Sequence, residues 1–151
     1  MAPSATGGVI RAFLDANVLF RAAQSRENAS WGVIELADLR DDFTVMTTEY
    51  VFGEAEEHLQ VKYPASLGEY AGLKPLVETC SEAPEELAYH LRRLIRDEDD
   101  WPVLAGAIYA QADWLVTLDY KHFGHLFGLR VYDVLITTPP QGLHRFRRLA
   151  V

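Results

Sequence analysis

The sequence predicts an α/β fold, a three-layer α/β/α sandwich around a central parallel sheet. Three observations carry that expectation. Short apolar runs of strand length alternate with longer stretches of helical periodicity from Val9 to Leu149. Two of the runs, Val9–Leu14 and Trp114–Leu118, are apolar enough for buried strands. Each is closed by a carboxylate, Asp15 and Asp119, where α/β proteins place ligands, outside the carboxyl ends of strands.

The first strand is Val9–Leu14. A helix follows over Ala29–Leu39, with Asn28 as its cap and Trp31, Ile34 and Leu39 on one face. Phe43–Met46 is the second strand, after the turn-forming Asp41-Asp42. Thr48 caps the next helix, which buries Val51, Phe52, Ala55 and Leu59 and ends before Pro64. A further helix over Ser66–Leu76 is interrupted at Gly72 and Pro75, and Val77–Cys80 is a short strand. Pro84 starts a helix with Leu87, Leu91, Leu94 and Ile95 at helical spacing. Asp100 caps another, with Pro102 in its first turn and Val103, Leu104, Ala107 and Ile108 inward. Its small residues Ala105, Gly106 and Ala107 permit close approach to the sheet. Trp114–Leu118, a short helix or loop over Tyr120–Phe127, one or two strands in Leu129–Ile136 and a helix begun by Thr138-Pro139-Pro140 complete the chain.

At 151 residues the chain is long enough for one domain with a sizeable core. Residues 1–8, small and polar, are expected to be disordered, and 9–151 to form the domain. A hydrophobic share of 49% excludes a mostly disordered chain. No apolar run approaches the roughly 18 residues of a membrane span, so no membrane association is expected. The single cysteine, Cys80, excludes an intramolecular disulfide and a thiolate metal cluster. With no signal-peptide pattern at the N-terminus, a cytoplasmic location is expected. The net charge of −8 argues against a protein that coats DNA. It leaves room for an enzyme that touches nucleic acid briefly, because charge distribution matters more than its sum. Bases cluster at Arg92, Arg93 and Arg96 and again at Arg145, Arg147 and Arg148. The first cluster reads as a solvated helix face, the second as the better candidate for contact with phosphate or a partner.

Four acids stand out: Asp15, Glu54, Asp100 and Asp119. In Asp15-Ala16-Asn17 the carboxylate can bind metal, and Asn17 can fix it or orient a water; an Asx-turn would use the same residues. Glu54 lies among Val51, Phe52 and Ala55, so it is half-buried and needs a partner. Asp100 opens the most apolar helix of the chain, and Asp99 is the fallback. Thr117, just before Asp119, can hydrogen-bond a carboxylate or a water. If the four acids converge they repel one another, and a divalent ion is the common remedy. Hard oxygen ligands suit Mg²⁺ or Mn²⁺.

Together these stretches resemble the PIN-domain family of metal-dependent ribonucleases. The matching segments are Phe13-Leu14-Asp15-Ala16-Asn17-Val18-Leu19, Thr48-Glu49-Tyr50-Val51-Phe52-Gly53-Glu54, Asp97–Ala107, Ala112–Asp119 and Ile136-Thr137-Thr138-Pro139. The resemblance implies a parallel sheet flanked by helices and endonucleolytic cleavage of RNA with Mg²⁺ or Mn²⁺. It implies Asp15, Glu54, Asp100 and Asp119 as metal ligands, with Asn17 and Thr117 in support. Many similar small proteins are toxins held by an antitoxin protein. Some relatives carry another acid shortly after the last aspartate; here that stretch reads Tyr120-Lys121-His122-Phe123-Gly124-His125. His122 there is either a surface residue or a group that touches phosphate or assists proton transfer.

Phosphodiester hydrolysis assisted by one or two ions is the expected chemistry, since metal-bound water ionises near neutral pH. Two other readings stay open. One is a catalytically silent PIN-like binding scaffold. The other is a Mg²⁺-dependent phosphoaspartyl phosphatase or receiver-like domain, which would want a second Asp where Asn17 stands. A homodimer is a further expectation, from the family and from Tyr63 and Tyr70 as exposed aromatics.

Overall fold

The structure, a computed structural model, describes residues 8–149. The expected disordered terminus therefore falls outside the described residues except at the exposed Gly8. Six strands form one sheet: β1 Ile10–Leu14, β2 Phe43–Thr48, β3 Glu78–Cys80, β4 Trp114–Val116, β5 Arg130–Val131 and β6 Val134–Thr137. Their spatial order is β3-β2-β1-β4-β6-β5. Every pairing is parallel except β5 with β6. The sheet is thus mostly parallel, as expected, with one antiparallel pair at its edge. Tyr132 and Asp133 both have positive φ (48° and 70°), as a two-residue hairpin turn requires, so β5 folds straight back on β6.

The helices are α1 Ala16–Gln24, α2 Ala29–Leu39, α3 Glu49–Lys62, α4 Leu67–Leu73, α5 Glu85–His90, α6 Trp101–Tyr109, α7 Tyr120–Phe123 and α8 Pro139–Leu149. Caps formed by Asn28 on Trp31 N and by Thr48 on Val51 N start α2 and α3 where the sequence predicts. Phe43, Trp114 and Phe146 pack edge to face between the sheet and α8. The opposite face carries α6. A Cβ on its Gly106 would lie 2.9 Å from Phe13 Cζ, so only glycine lets α6 settle this close to β1. Arg11, inside β1, donates to the Ala110 carbonyl at the C-terminal end of α6, 3.0 Å away, which suits the helix dipole.

Several sequence expectations give way. Helix α1 lies outside the elements predicted from patterning, although Val18, Leu19, Ala22 and Ala23 bury one of its faces. Leu39 is exposed, because α2 turns that end outward. Helix α5 stops at His90 instead of continuing to Ile95. The carbonyls of Leu94 and Ile95 bond side chains, His125 Nε2 and Trp101 Nε1, each at 2.6 Å, while Leu91 and Ile95 are drawn into the core. Tyr70 is buried, not exposed, and its hydroxyl donates to the Phe52 carbonyl at 2.8 Å. It is unavailable to a dimer partner, while Tyr63 remains 48% exposed. Among the described residues no helix is long and apolar enough to cross a membrane.

Candidate functional site

The chain leaves β1 toward β2 on one side, while β4 lies on the other. This is the switch point of the sheet, where ligands of α/β proteins bind beyond the carboxyl ends of the strands. Asp15 is the first residue past β1. Its amide continues the ladder to the Val116 carbonyl (3.0 Å), and its side chain caps α1 through Ala16 N (2.8 Å). Only 4% exposed, it also accepts from Thr117 Oγ1 at 2.7 Å and from Asn17 Nδ2 at 3.2 Å. Burial raises its pKa, and the bonds from Thr117 and Ala16 partly offset that rise.

Thr117 is fully buried, and its hydroxyl is fully used. It donates to Asp15 and accepts from Asn17 Nδ2 (3.3 Å) and from Asp119 N (3.1 Å). Asn17 Oδ1 takes the Leu118 amide at 2.9 Å, which latches the loop after β4 to the start of α1. Strand β4 ends at Val116, two residues short of the predicted end: the Thr117 amide still bonds the Thr137 carbonyl (3.0 Å), but the Leu118 amide turns to Asn17 Oδ1 instead of to a neighbouring strand. Asp119 caps α7 by accepting from His122 N at 2.9 Å.

Asp100 stands at the head of α6 but caps nothing there, contrary to the sequence expectation; its own backbone is helical. The side chain turns inward to His122. His122 Nδ1 lies 2.8 Å from Asp119 Oδ2 and 2.8 Å from Asp100 Oδ2, and its hydrogen bond goes to Asp119. Asp100 Oδ2 is left buried with no hydrogen bond. Burial, then the charges of Asp15 and Asp119, push Asp100 up to about 7. Glu54, half-buried on α3, is pushed to about 7 as well, by burial and by the charges of Asp15 and Asp100. Desolvation opposes charge on His122, but its bond to Asp119 and the surrounding carboxylates outweigh that and raise its pKa.

The four acids singled out in the sequence thus come within electrostatic reach of one another at one edge of the sheet. Asp99 does not join them: its side chain is exposed, and its carbonyl accepts from Tyr50 OH at 3.0 Å. His122 is drawn into the acidic centre rather than left on the surface. Asp97 is a member that sequence reasoning missed. One ligand atom from each of Asp97, Asp100 and His122 lies within 4.8 Å of the others, and this cluster could hold a metal ion. The only sequence signal for Asp97 was its place in the run Asp97-Glu98-Asp99-Asp100, which does not tell the four acids apart. A divalent cation fits the donor set, since the buried Asp100 oxygen has no hydrogen bond, Asp100 and Glu54 are both pushed up by burial and by neighbouring negative charge, and His122 is the one side chain among them that can carry a positive charge.

Comparison with known proteins gives the family and supports the fold. Residues 11–121 match the family model described as PIN domain, and the chain belongs to that family. VapBC2 from Rickettsia felis, solved bound to a DNA fragment from their promoter, is similar in structure. The TM-score is 0.64 at 18% identity, over 85% of this chain and 98% of that one. PAE2754 from Pyrobaculum aerophilum also gives a TM-score of 0.64, at 13% identity, over 93% of this chain and 98% of its own. VapC20 from Mycobacterium tuberculosis, described as a sarcin-ricin loop cleaving toxin, gives 0.52 at 19% identity, over 73% and 91% of the two chains. At such identities these likenesses concern the fold. No curated protein is similar in sequence.

Proposed function

We propose that this PIN domain is a metal-dependent endoribonuclease that hydrolyses RNA phosphodiester bonds, with Mg²⁺ or Mn²⁺ held at the acidic centre. The observation that carries the reading is the buried, unbonded Asp100 Oδ2 beside Asp119 and His122 at the switch point of the sheet. A protein gains nothing from such an atom unless something binds it. Asp15, Asp100 and Asp119 would hold the ion, with Glu54 beside them as ligand or base. Bound there, a divalent ion lowers the pKa of a water toward neutrality and offsets charge on phosphate.

The chain's own groups do the rest. Thr117 and Asn17 keep Asp15 in one rotamer and favour its charged form against the effect of burial. Glu54, poised near 7, can accept a proton from an attacking water at neutral pH. His122 keeps Asp100 and Asp119 from repelling one another when no ion is bound. A role as the toxin of a toxin–antitoxin pair accords with the description of VapC20, and an antitoxin protein would then be its partner.

The test is cleavage of single-stranded and structured RNA with Mg²⁺, Mn²⁺ or EDTA. Wild type should cleave with either ion, and EDTA should abolish it. Asp15→Asn should reduce the rate on the order of 10²-fold or more. Cleavage that survives both EDTA and the substitution removes the proposal.

A further inference from the structure

The first basic cluster does not lie on a helix. Arg92, Arg93 and Arg96 follow α5 in a run of tight turns, anchored by the fully buried Leu91 and Ile95. The bond of 2.6 Å between His125 Nε2 and the Leu94 carbonyl ties that run to the segment after α7. Between the two segments lies a groove of about 630 Å³ lined by Arg93, Arg96, Lys121 and His125, together with Asp97 and His122. The last two belong to the acidic centre, so the groove opens directly beside it. Arg93, Arg96 and Lys121 are exposed, and among the described residues none of them makes an ion pair or a side-chain hydrogen bond.

We propose that this groove is a subsite for the RNA backbone, in which Arg93, Arg96 and Lys121 bind a phosphate next to the one at the acidic centre. The inference rests on the nuclease reading and adds where the substrate lies. A chain of net charge −8 whose reacting centre is a cluster of carboxylates repels a polyanion. Unpaired cations immediately beside that centre offset the repulsion where it matters. Guanidinium groups take phosphate oxygens in bidentate fashion. Asp97 is the one carboxylate that lines the groove, and it already faces His122 Nε2 at 3.7 Å. Contacts of this kind set affinity and register, not base choice.

Binding is measured with a labelled single-stranded RNA by fluorescence anisotropy, in EDTA, over a series of salt concentrations. The chain used is the full Asp15→Asn protein, so that cleavage plays no part. Adding Arg93→Ala with Arg96→Ala should weaken binding roughly tenfold at low salt. It should also reduce the salt slope of log K by about 1.4, at about 0.7 per lost contact. Arg96→Lys should retain the salt slope but only part of the affinity, since an ammonium cannot grip phosphate in bidentate fashion. The sequence alone favoured the α8 arginines for phosphate contact, but the groove beside the acidic centre is lined by Arg93 and Arg96 instead, so Arg145→Ala with Arg148→Ala should change neither quantity. An unchanged melting temperature checks that the exposed substitutions leave the fold intact. The proposal is overturned if the Arg93/Arg96 pair has no effect, if the α8 pair has an equal one, or if the parent does not bind RNA. Failure of the nuclease reading would appear elsewhere, as RNA binding without cleavage by the native chain.

Discussion

The acidic centre has two halves that are built on opposite lines. Around Asp15 the protein supplies its own partners: three donors hold the carboxylate, and two of them, Asn17 and Thr117, accept in turn from amides of the loop after β4. Around Asp100 it supplies almost none. One imidazole nitrogen stands 2.8 Å from two carboxylate oxygens and bonds only one of them. The first half is preorganised by the fold. The second is left under-neutralised, a charge that protonation of Asp100 relieves and that, on the proposed function, a bound cation would relieve.

Metal should therefore act through the second half. At an Mn²⁺ concentration about 100-fold above its Kd, mass action adds about 2.7 kcal/mol of stability. For a chain of this size that is a rise of about 5–10 °C in melting temperature. Asp100→Asn removes the uncompensated charge. It should raise the melting temperature in EDTA and shrink the metal-dependent rise. A full rise in the variant would mean that the ion binds elsewhere, and the contrast between the halves would lose its meaning.

The first half should break differently. Thr117→Val keeps the shape of the side chain but removes the shorter of the two bonds to Asp15 Oδ2, leaving only Asn17 Nδ2 there, and leaves Asp119 N without its partner. The expected cost is about 2 kcal/mol by urea denaturation, since buried groups lose their hydrogen bonds. It should appear in EDTA, where no ion takes part, and be at least as large with metal, because Asp15 is one of the proposed ligands. Thr117→Ser, which retains the hydroxyl, should recover most of it.

These two halves were not equally legible in the sequence. Asp15, Asn17, Thr117 and Asp119 could be read directly, because strand ends are marked by the apolar runs that precede them. The sheet and most helix starts could be read for the same reason, as the caps at Asn28 and Thr48 confirm. Asp100 was found through the apolar helix behind it, but its neighbours were not resolved. Whether Asp97 or Asp99 turns inward depends on a tight turn whose carbonyls and amides are shared with distant side chains. His122 was equally opaque. Nothing local says that the imidazole at the end of a four-residue helix reaches a carboxylate more than twenty positions earlier. The end of α5 was misread because Leu94 and Ile95 give their carbonyls to His125 and Trp101, contacts that periodicity cannot foresee.

Acidity offers the gentlest way to sharpen the comparison. Asp100 and Glu54 ionise near 7 in the folded protein, against ordinary values of 3.8 and 4.5. Between about pH 4 and pH 7 the unfolded chain therefore gives up protons that the folded one retains. Raising the pH across that window favours unfolding, so metal-free stability should fall. His122 acts in the same direction, because its raised pKa gives stability below 6.5 that is lost as the pH climbs through its folded value. Asp42 takes no part in this window: Arg40 lowers its carboxyl, so its contribution changes only below about pH 4, and that pair is exposed. With Mn²⁺ present the trend should weaken or reverse, since the ion binds the deprotonated carboxylates and competes with protons for them. Melting temperatures at pH 5, 6, 7 and 8, each with EDTA and with Mn²⁺, should thus diverge as the pH rises. Asp100→Asn should flatten the EDTA curve, whereas Thr117→Val should lower both curves at every pH. Curves that run parallel in the wild type would mean that the carboxylates on the Asp100 side carry no excess charge for a cation to neutralise.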